Sequence, residues 1–255
     1  MTAVALVTGA SAGIGAELAR VFAAHEHDLV LLARREDRLR ALADEIAASS
    51  RSRPLVLACD LQRRDAVSRI GAELASRGLE PQFIVNNAGF GLAGDAAALS
   101  RDEQLDMIDL NVRALTELSL AFIDSLARQR GGILNVASIA AFLPGPGMAV
   151  YYASKAYVVS FTEALHQELA GRGVRVTVLC PGPVPTEFQA RAGINPNLSM
   201  GPLELPPARV AEIGYQGLMR GKRMVVAGTG NRLVVTLMRF VPHGLLLRMV
   251  EQRMR

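Results

Sequence analysis

Short apolar runs alternate with longer amphipathic stretches along most of this chain. Val4–Val7, Leu29–Ala33, Leu55–Ala58, Phe83–Val85, Ile133–Val136, Val174–Leu179 and Met224–Val226 are apolar at nearly every position. Runs this short and this uniformly apolar read as strands covered on both faces. Between them, residues 13–25, 36–49, 63–77, 101–129, 150–171 and 207–220 return to an apolar position at helical spacing. The alternation predicts a doubly wound α/β fold, a parallel sheet of about seven strands with helices on both faces. Residues 187–205 hold Gly, Pro and Asn without a period, so 187–220 reads as a loop and helix region on the substrate side. Two amphipathic stretches, 231–241 and 244–255, close the chain on either side of Pro242. With no linker or low-complexity run in between, residues 1–255 are expected to form a single domain.

The residues with chemical potential follow the strand ends. After the first strand comes Thr8–Gly9–Ala10–Ser11–Ala12–Gly13–Ile14–Gly15, and then a helical stretch. Glycines allow a tight turn and close backbone approach, and a helix N-terminus favours a phosphate. After the fifth strand comes Ser138, and then Tyr151 with Lys155 four residues on. Four residues bring a helix back to nearly the same face, so this phenol and this ammonium would stand side by side. An ammonium favours the phenolate and draws a phenol below its ordinary pKa of about 10. A phenol tuned in this way can exchange a proton with a carbonyl oxygen, and Ser138 could hold the same oxygen. Tyr152 lies three residues before Lys155, so geometry alone leaves both tyrosines open.

TGASAGIG at 8–15, NNAG at 86–89, Asn111, Ser138, YYASK at 151–155 and PGPVPT at 181–186 occur in order. Together they resemble the short-chain dehydrogenase/reductase family over about residues 3–186. The resemblance implies a Rossmann-like sheet of order 3-2-1-4-5-6-7 and a nicotinamide-dependent oxidoreductase. It also implies a tetrad of Asn111, Ser138, Tyr151 and Lys155, and it selects Tyr151 over Tyr152. By the same resemblance the cofactor would lie along Gly9, Ser11, Gly13, Ile14, Gly15, Asn87, Ala88, Gly89, Pro181, Gly182, Val184 and Thr186, with Tyr151 and Lys155 touching it as well. Asp60 either caps the following helix or bonds the adenine amino group. Asn111 is either a satisfied core amide or holds a water that links Lys155 to solvent.

Arg34 and Arg35 follow the second strand, where an acid would bind a ribose 2′-hydroxyl and an arginine can hold a 2′-phosphate. They are expected to favour NADP(H) over NAD(H). Phe90, Leu92, Ile139, Phe142, Met148 and Phe188 surround the tetrad in sequence and are the candidate substrate pocket. Leu143 lies among them, and Arg191 is the one nearby cation in the loop. The implied function is hydride transfer between NADP(H) and an apolar carbonyl or secondary alcohol. The competing class is a non-catalytic module that senses a dinucleotide on the same fold.

Composition narrows the partners. The net charge is +4, aromatics make up 5% and Trp is absent, with arginines spread over several helices. A nucleic-acid partner is therefore not expected. Cys59 and Cys180 lack ligand spacing and the four histidines do not cluster, so no metal is expected. The first strand begins almost at Met1, which points to a cytoplasmic protein without a signal peptide. Apolar positions such as Leu115, Leu118, Phe122, Val158, Phe161 and Leu165 leave residues 101–129 and 150–171 apolar on more than one face. That predicts a homodimer or homotetramer joined through a four-helix bundle. In the tail, Arg232, Thr236, Arg239 and His243 form one polar face, and Arg248, Glu251, Gln252 and Arg255 form another. The opposite faces would pack on protein or make peripheral contact with an anionic membrane.

Overall fold

Seven parallel strands form one sheet in the order β3-β2-β1-β4-β5-β6-β7. The computed structural model describes residues 1–50, 52–194, 201–238 and 240–254, without the side chains of Pro202, His243, Met249 and 251–254. The chain runs through β1 Thr2–Thr8, α1 Gly13–Ala24, β2 Asp28–Ala33, α2 Glu36–Ala47, β3 Leu55–Ala58, α3 Ala66–Ser76 and β4 Leu79–Asn86. There follow α4 Arg101–Ile108, α5 Leu115–Ala121, α6 Ile123–Arg128, β5 Gly132–Val136, α7 Ala149–Leu169 and β6 Arg175–Cys180. The last elements are α8 Glu187–Ala192, α9 Pro207–Met219, β7 Met224–Val226, α10 Thr229–Met238 and α11 His243–Met254.

The strands alternate between two apolar layers, as the pleat requires. Ala5, Val7, Leu29 and Leu31 face α1, α2 and α9, where Leu18, Phe22, Leu39, Val210 and Leu218 meet them. Val4, Leu6, Val30 and Leu32 face α3, α5 and α7, against Ile70, Leu118 and Leu165. The strand order reverses between β1 and β4, which opens a crevice at the carboxyl ends of these two strands.

Two elements depart from the sequence expectation. Residues 101–129 do not form one helix. A π-helical turn at Asp109–Ala114 widens the chain at Asn111, and Phe122, at φ −118 and ψ 15, separates α5 from α6. The extra residue of a π turn shifts the apolar phase, but residues 101–129 carry apolar side chains on more than one face, so the shift leaves no gap in the pattern. Residues 187–192 form α8, closed at its start by a capping box of Thr186 and Gln189 and at its end by Gly193. The loop reading of 187–205 therefore fails over its first third, and 195–200 lie outside the described residues.

The outward face of the central helices also differs. Leu115, Leu118, Val158 and Leu165 are buried in the chain's own core, while Phe122 and Phe161 pack against it. The large apolar side chains exposed on α4, α5 and α7 are Leu105, Ile108, Leu120 and Tyr157.

A buried polar chain ties β4, β5, α5 and α7 together. Asn86 Nδ2 donates to Ser119 Oγ and to Asn135 Oδ1, both at 2.9 Å, and Asn135 Nδ2 donates to Thr162 Oγ1 at 2.9 Å. Unmade hydrogen bonds among buried groups are costly, so such a chain favours one register. Asn135→Leu should lower unfolding stability by about 1–3 kcal/mol, because Asn86 loses an acceptor in a dry interior. An unchanged urea midpoint at constant slope would show that the network contributes nothing to stability.

Candidate active site

A cleft of about 790 Å³ runs along the carboxyl ends of the strands. Its floor at one end is the turn after β1. Gly9 there has φ +65, and a Cβ on it would stand 2.8 Å from Asn87 Nδ2. Asn87 closes the turn by donating from Nδ2 to the Thr8 carbonyl at 3.0 Å, while Thr8 Oγ1 accepts from the backbone of Asn87 and Ala88. Ser11, Gly13 and Ile14 continue the wall into the N-terminus of α1, whose first turn carries no acid. Gly15 lies behind this wall, packed on Gly9 and Asn87. Arg34, Arg35 and Asp60 line the same end. Asp60 Oδ1 accepts from Gln62 N at 3.1 Å, so it closes a short turn and does not cap α3, which begins at Ala66.

The other end is built on α7. Tyr151 and Lys155 lie one turn apart, with Lys155 Nζ 5.9 Å from the centre of the Tyr151 ring. Lys155 donates to the Val136 carbonyl at the end of β5, at 3.0 Å. Ser138, two residues beyond β5, accepts from Ala140 N at 3.1 Å and hydrogen-bonds the Tyr151 phenol. Asn111 stands behind the cleft, fully buried. Its carboxamide accepts from Phe90 N at 3.1 Å and donates to Phe90 O at 2.9 Å and to Ser154 Oγ at 3.1 Å. Gly89 separates it from the lysine, since a Cβ there would lie 2.9 Å from Asn111 Oδ1 and 3.4 Å from Lys155 Nζ. The carboxamide thus clamps the loop after β4 onto α7, and its bonds go to Phe90 and Ser154.

Burial dominates the electrostatics. It pushes the Tyr151 phenol up to about 12, with the hydrogen bond from Ser138 acting against it and Tyr152 adding to it. It draws the Lys155 ammonium down to about 8, with Cys180 acting against it. The sequence reading gave the lowering of the phenol to Lys155. In the structure the group that lowers it is Ser138, while the lysine points at the carbonyl of Val136.

Pro181, Gly182, Val184 and Thr186 complete the wall after β6, together with Ala88 and Gly89. Of the expected substrate residues, Ile139, Met148 and Phe188 line the cleft, and Tyr152 joins them. Phe90, Leu92 and Phe142 do not. Phe90 is held down by both of its bonds to Asn111 and lies under the Arg191 guanidinium, 4.4 Å from the ring. Leu92 packs among Phe90, Met107 and Ala192, and Phe142 turns into the cluster of Val159, Val178 and Val226. Among the described residues no cluster of His, Cys, Asp and Glu could hold a metal.

The family model described as short chain dehydrogenase matches residues 3–196. The chain belongs to this family. A sulfoacetaldehyde reductase 2 of Chromohalobacter salexigens is 39% identical over 191 residues, 74% of this chain and 75% of that protein. A short-chain dehydrogenase of Sphingobium yanoikuyae, solved with NADPH, superposes with a TM-score of 0.82 at 30% identity, over 96% of this chain and 95% of that one. A bulky-bulky ketone specific alcohol dehydrogenase of Comamonas testosteroni superposes with a TM-score of 0.77 at 26% identity, over 96% and 94%. As a short-chain dehydrogenase the chain is an oxidoreductase of alcohol and carbonyl groups, and the sensing-only alternative falls away.

The dehydrogenase's cleft fits the dinucleotide such chemistry needs. The floor at Gly9 leaves no room for a side chain, the N-terminus of α1 opens beside it, and arginines end β2. Sequence reasoning missed the wall from the tail. Met238 of α10 and Leu246 and Val250 of α11 also line the cleft. The only signal for them was amphipathy, which does not name a partner. The expected polar faces of the tail hold only in part. Arg232, Thr236 and Arg248 are exposed, but so are Leu233, Leu237, Leu245 and Leu247. Arg239 and Arg255, and the side chains of His243, Glu251 and Gln252, lie outside the described residues. Among the described residues no helix is long and apolar enough to cross a membrane.

The lysine has a thermodynamic signature. Its pKa is about 8 folded against 10.5 unfolded, so between these values the unfolded chain binds a proton that the folded chain does not. Stability therefore rises with pH through this window on account of Lys155. Tyr151 and Cys180, both raised by burial, oppose it above pH 10 and pH 9. The difference between wild type and Lys155→Met isolates the lysine. Urea midpoints should favour the wild type increasingly from about pH 8 to 10.5, and a difference independent of pH would show that the ammonium is not desolvated.

Proposed function

We propose that the protein transfers hydride between NADP(H), in preference to NAD(H), and an apolar ketone or secondary alcohol. The observation that carries this reading is the apolar lining of the cleft, which includes Ile139, Leu143, Met148, Phe188, Met238, Leu246 and Val250. In the reducing direction Tyr151 gives its proton to the carbonyl oxygen, and Ser138 hydrogen-bonds the same oxygen. Lys155, one turn along α7, supports proton return to the phenol and bonds the nicotinamide ribose. Asn111 keeps α7 and the loop after β4 in register, while Asn87, Ala88, Gly89, Pro181, Gly182, Val184 and Thr186 flank the cofactor. Bound NADPH would supply the hydride. Arg34 and Arg35 take the 2′-phosphate, which only NADP(H) carries. The neighbour solved with NADPH supports the cofactor, and the bulky-ketone enzyme supports the substrate class.

One residue favours a second reading. Arg191 lines the cleft over Phe90, with its pKa lowered by burial and by Arg34 and Arg35. A guanidinium there suits a small aldehyde bearing a sulfonate or carboxylate, as the name of the sulfoacetaldehyde reductase suggests. NADPH absorbance over a panel of ketones and sulfoacetaldehyde separates the two. Bulky ketones should exceed sulfoacetaldehyde in kcat/KM by about tenfold or more, and the reverse order gives the site to Arg191. Tyr151→Phe should cost roughly 10²–10⁴-fold in kcat with cofactor binding kept, and Tyr152→Phe much less. Equal losses would remove the assignment of the acid.

A homodimer or homotetramer in the cytoplasm belongs to the same proposal. Leu105, Ile108, Leu120 and Tyr157 give α4, α5 and α7 an apolar outer face, and the two cysteines are free thiols. Light scattering should give about twice or four times the 27.3 kDa of one chain, and Leu120→Glu should reduce it. A wild-type mass near 27.3 kDa would end the proposal of assembly.

A further inference from the structure

Glu187, the first residue of α8, reaches across to the loop after β2. Its Oε2 accepts from Arg35 Nη1 at 2.8 Å and its Oε1 from Arg38 Nη1 at 2.7 Å. Arg35 also turns Nε and Nη2 toward Ser11 Oγ, at 3.3 and 3.1 Å. A carboxylate of the protein therefore already stands on a guanidinium that the proposed function assigns to the 2′-phosphate. Glu187 is 52% exposed, Arg38 50% and Arg35 42%. Ion pairs this exposed are weak and exchange readily, whereas a phosphate is a stronger, multiply charged partner for arginine. The arrangement invites displacement.

The rest of α8 faces the reacting end. Phe188 lies 5.3 Å from the Tyr151 ring, Arg191 covers Phe90, and the Ala192 carbonyl accepts from Ala93 N at 2.7 Å. The helix is short and is tied at Glu187, at its capping box and at the Ala192 carbonyl, so the hold on Glu187 contributes to the position of Phe188 one residue on.

We propose that Glu187 is a surrogate anion for the cofactor's 2′-phosphate. It holds Arg35 and Arg38 until the phosphate takes Arg35, and its release loosens α8 where Phe188 covers Tyr151. Glu187 thereby sets part of the discrimination between the two dinucleotides. It also links arrival of the phosphate to admission of substrate at the far end of the cleft. The inference rests on the assignment of Arg34 and Arg35 to the 2′-phosphate.

Calorimetry on the full chain with adenosine 2′,5′-bisphosphate and with AMP tests both levels. Wild type binding the bisphosphate no tighter than AMP would remove the parent assignment. Where that preference holds, Glu187→Gln should bind the bisphosphate roughly threefold to tenfold tighter, with AMP unchanged. The gain should vanish in an Arg35→Gln background, and Glu187→Asp, which keeps the charge, should stay near wild type. In wild type the bisphosphate, but not AMP, should speed amide hydrogen exchange over 188–192. Unchanged or weaker bisphosphate binding in Glu187→Gln would overturn the surrogate role. So would an equal change for both ligands, or an aspartate variant that behaves like the glutamine one.

Discussion

The bond from Lys155 to the carbonyl of Val136 fixes the geometry of the whole reacting end. It joins the second turn of a 21-residue helix to the last residue of a central strand. With that point fixed, the helical repeat alone sets Tyr151 one turn back, and the chain leaving β5 brings Ser138 to the phenol. Nothing in the site needs a long flexible loop to find its place. The cost is a buried ammonium, and the carbonyl that receives it offsets part of that cost. A group held in this way is suited to proton traffic, because its charged and neutral forms are close in free energy near pH 8.

A second layer holds this arrangement from behind. Asn111 uses both ends of its carboxamide on the backbone of Phe90, and the π turn gives it the reach to do so. The polar chain through Asn86 and Asn135 performs the same service one layer deeper. Both are buried amides that a purely apolar interior would not need. They exchange some ease of folding for a single relative placement of β4, β5 and α7.

Much of this could be read from the residues. Uniform apolar runs gave the strands, and their short length gave the covered parallel sheet. The spacing of Tyr151 and Lys155 needed only the helical repeat. The losses have physical causes. A π turn shifts the apolar phase, but a stretch apolar on several faces hides the shift, so the break at Asn111 is silent. The opening of α8 does carry a signal, since Thr186 and Gln189 stand at the spacing of a capping box, but Gly and Pro on both sides obscure a helix this short. Phe90 and Phe142 resemble Met148 and Phe188 in hydropathy. Which of them meets the cleft depends on hydrogen bonds to the backbone and on the direction a loop turns, and neither is local to the residue.

The wall from α10 and α11 separates two kinds of information along the chain. The residues proposed to handle the proton all lie in the stretch shared with the family, which ends at residue 196. Met238, Leu246 and Val250 lie beyond it, on helices of which α10 also packs against the turn Ile139–Phe142 that follows Ser138. Substitutions at these three positions would reshape the cleft without changing Asn111, Ser138, Tyr151 or Lys155 themselves. Under the proposed function, the tail is the stretch through which the accepted substrate can change while the proposed acid stays in place.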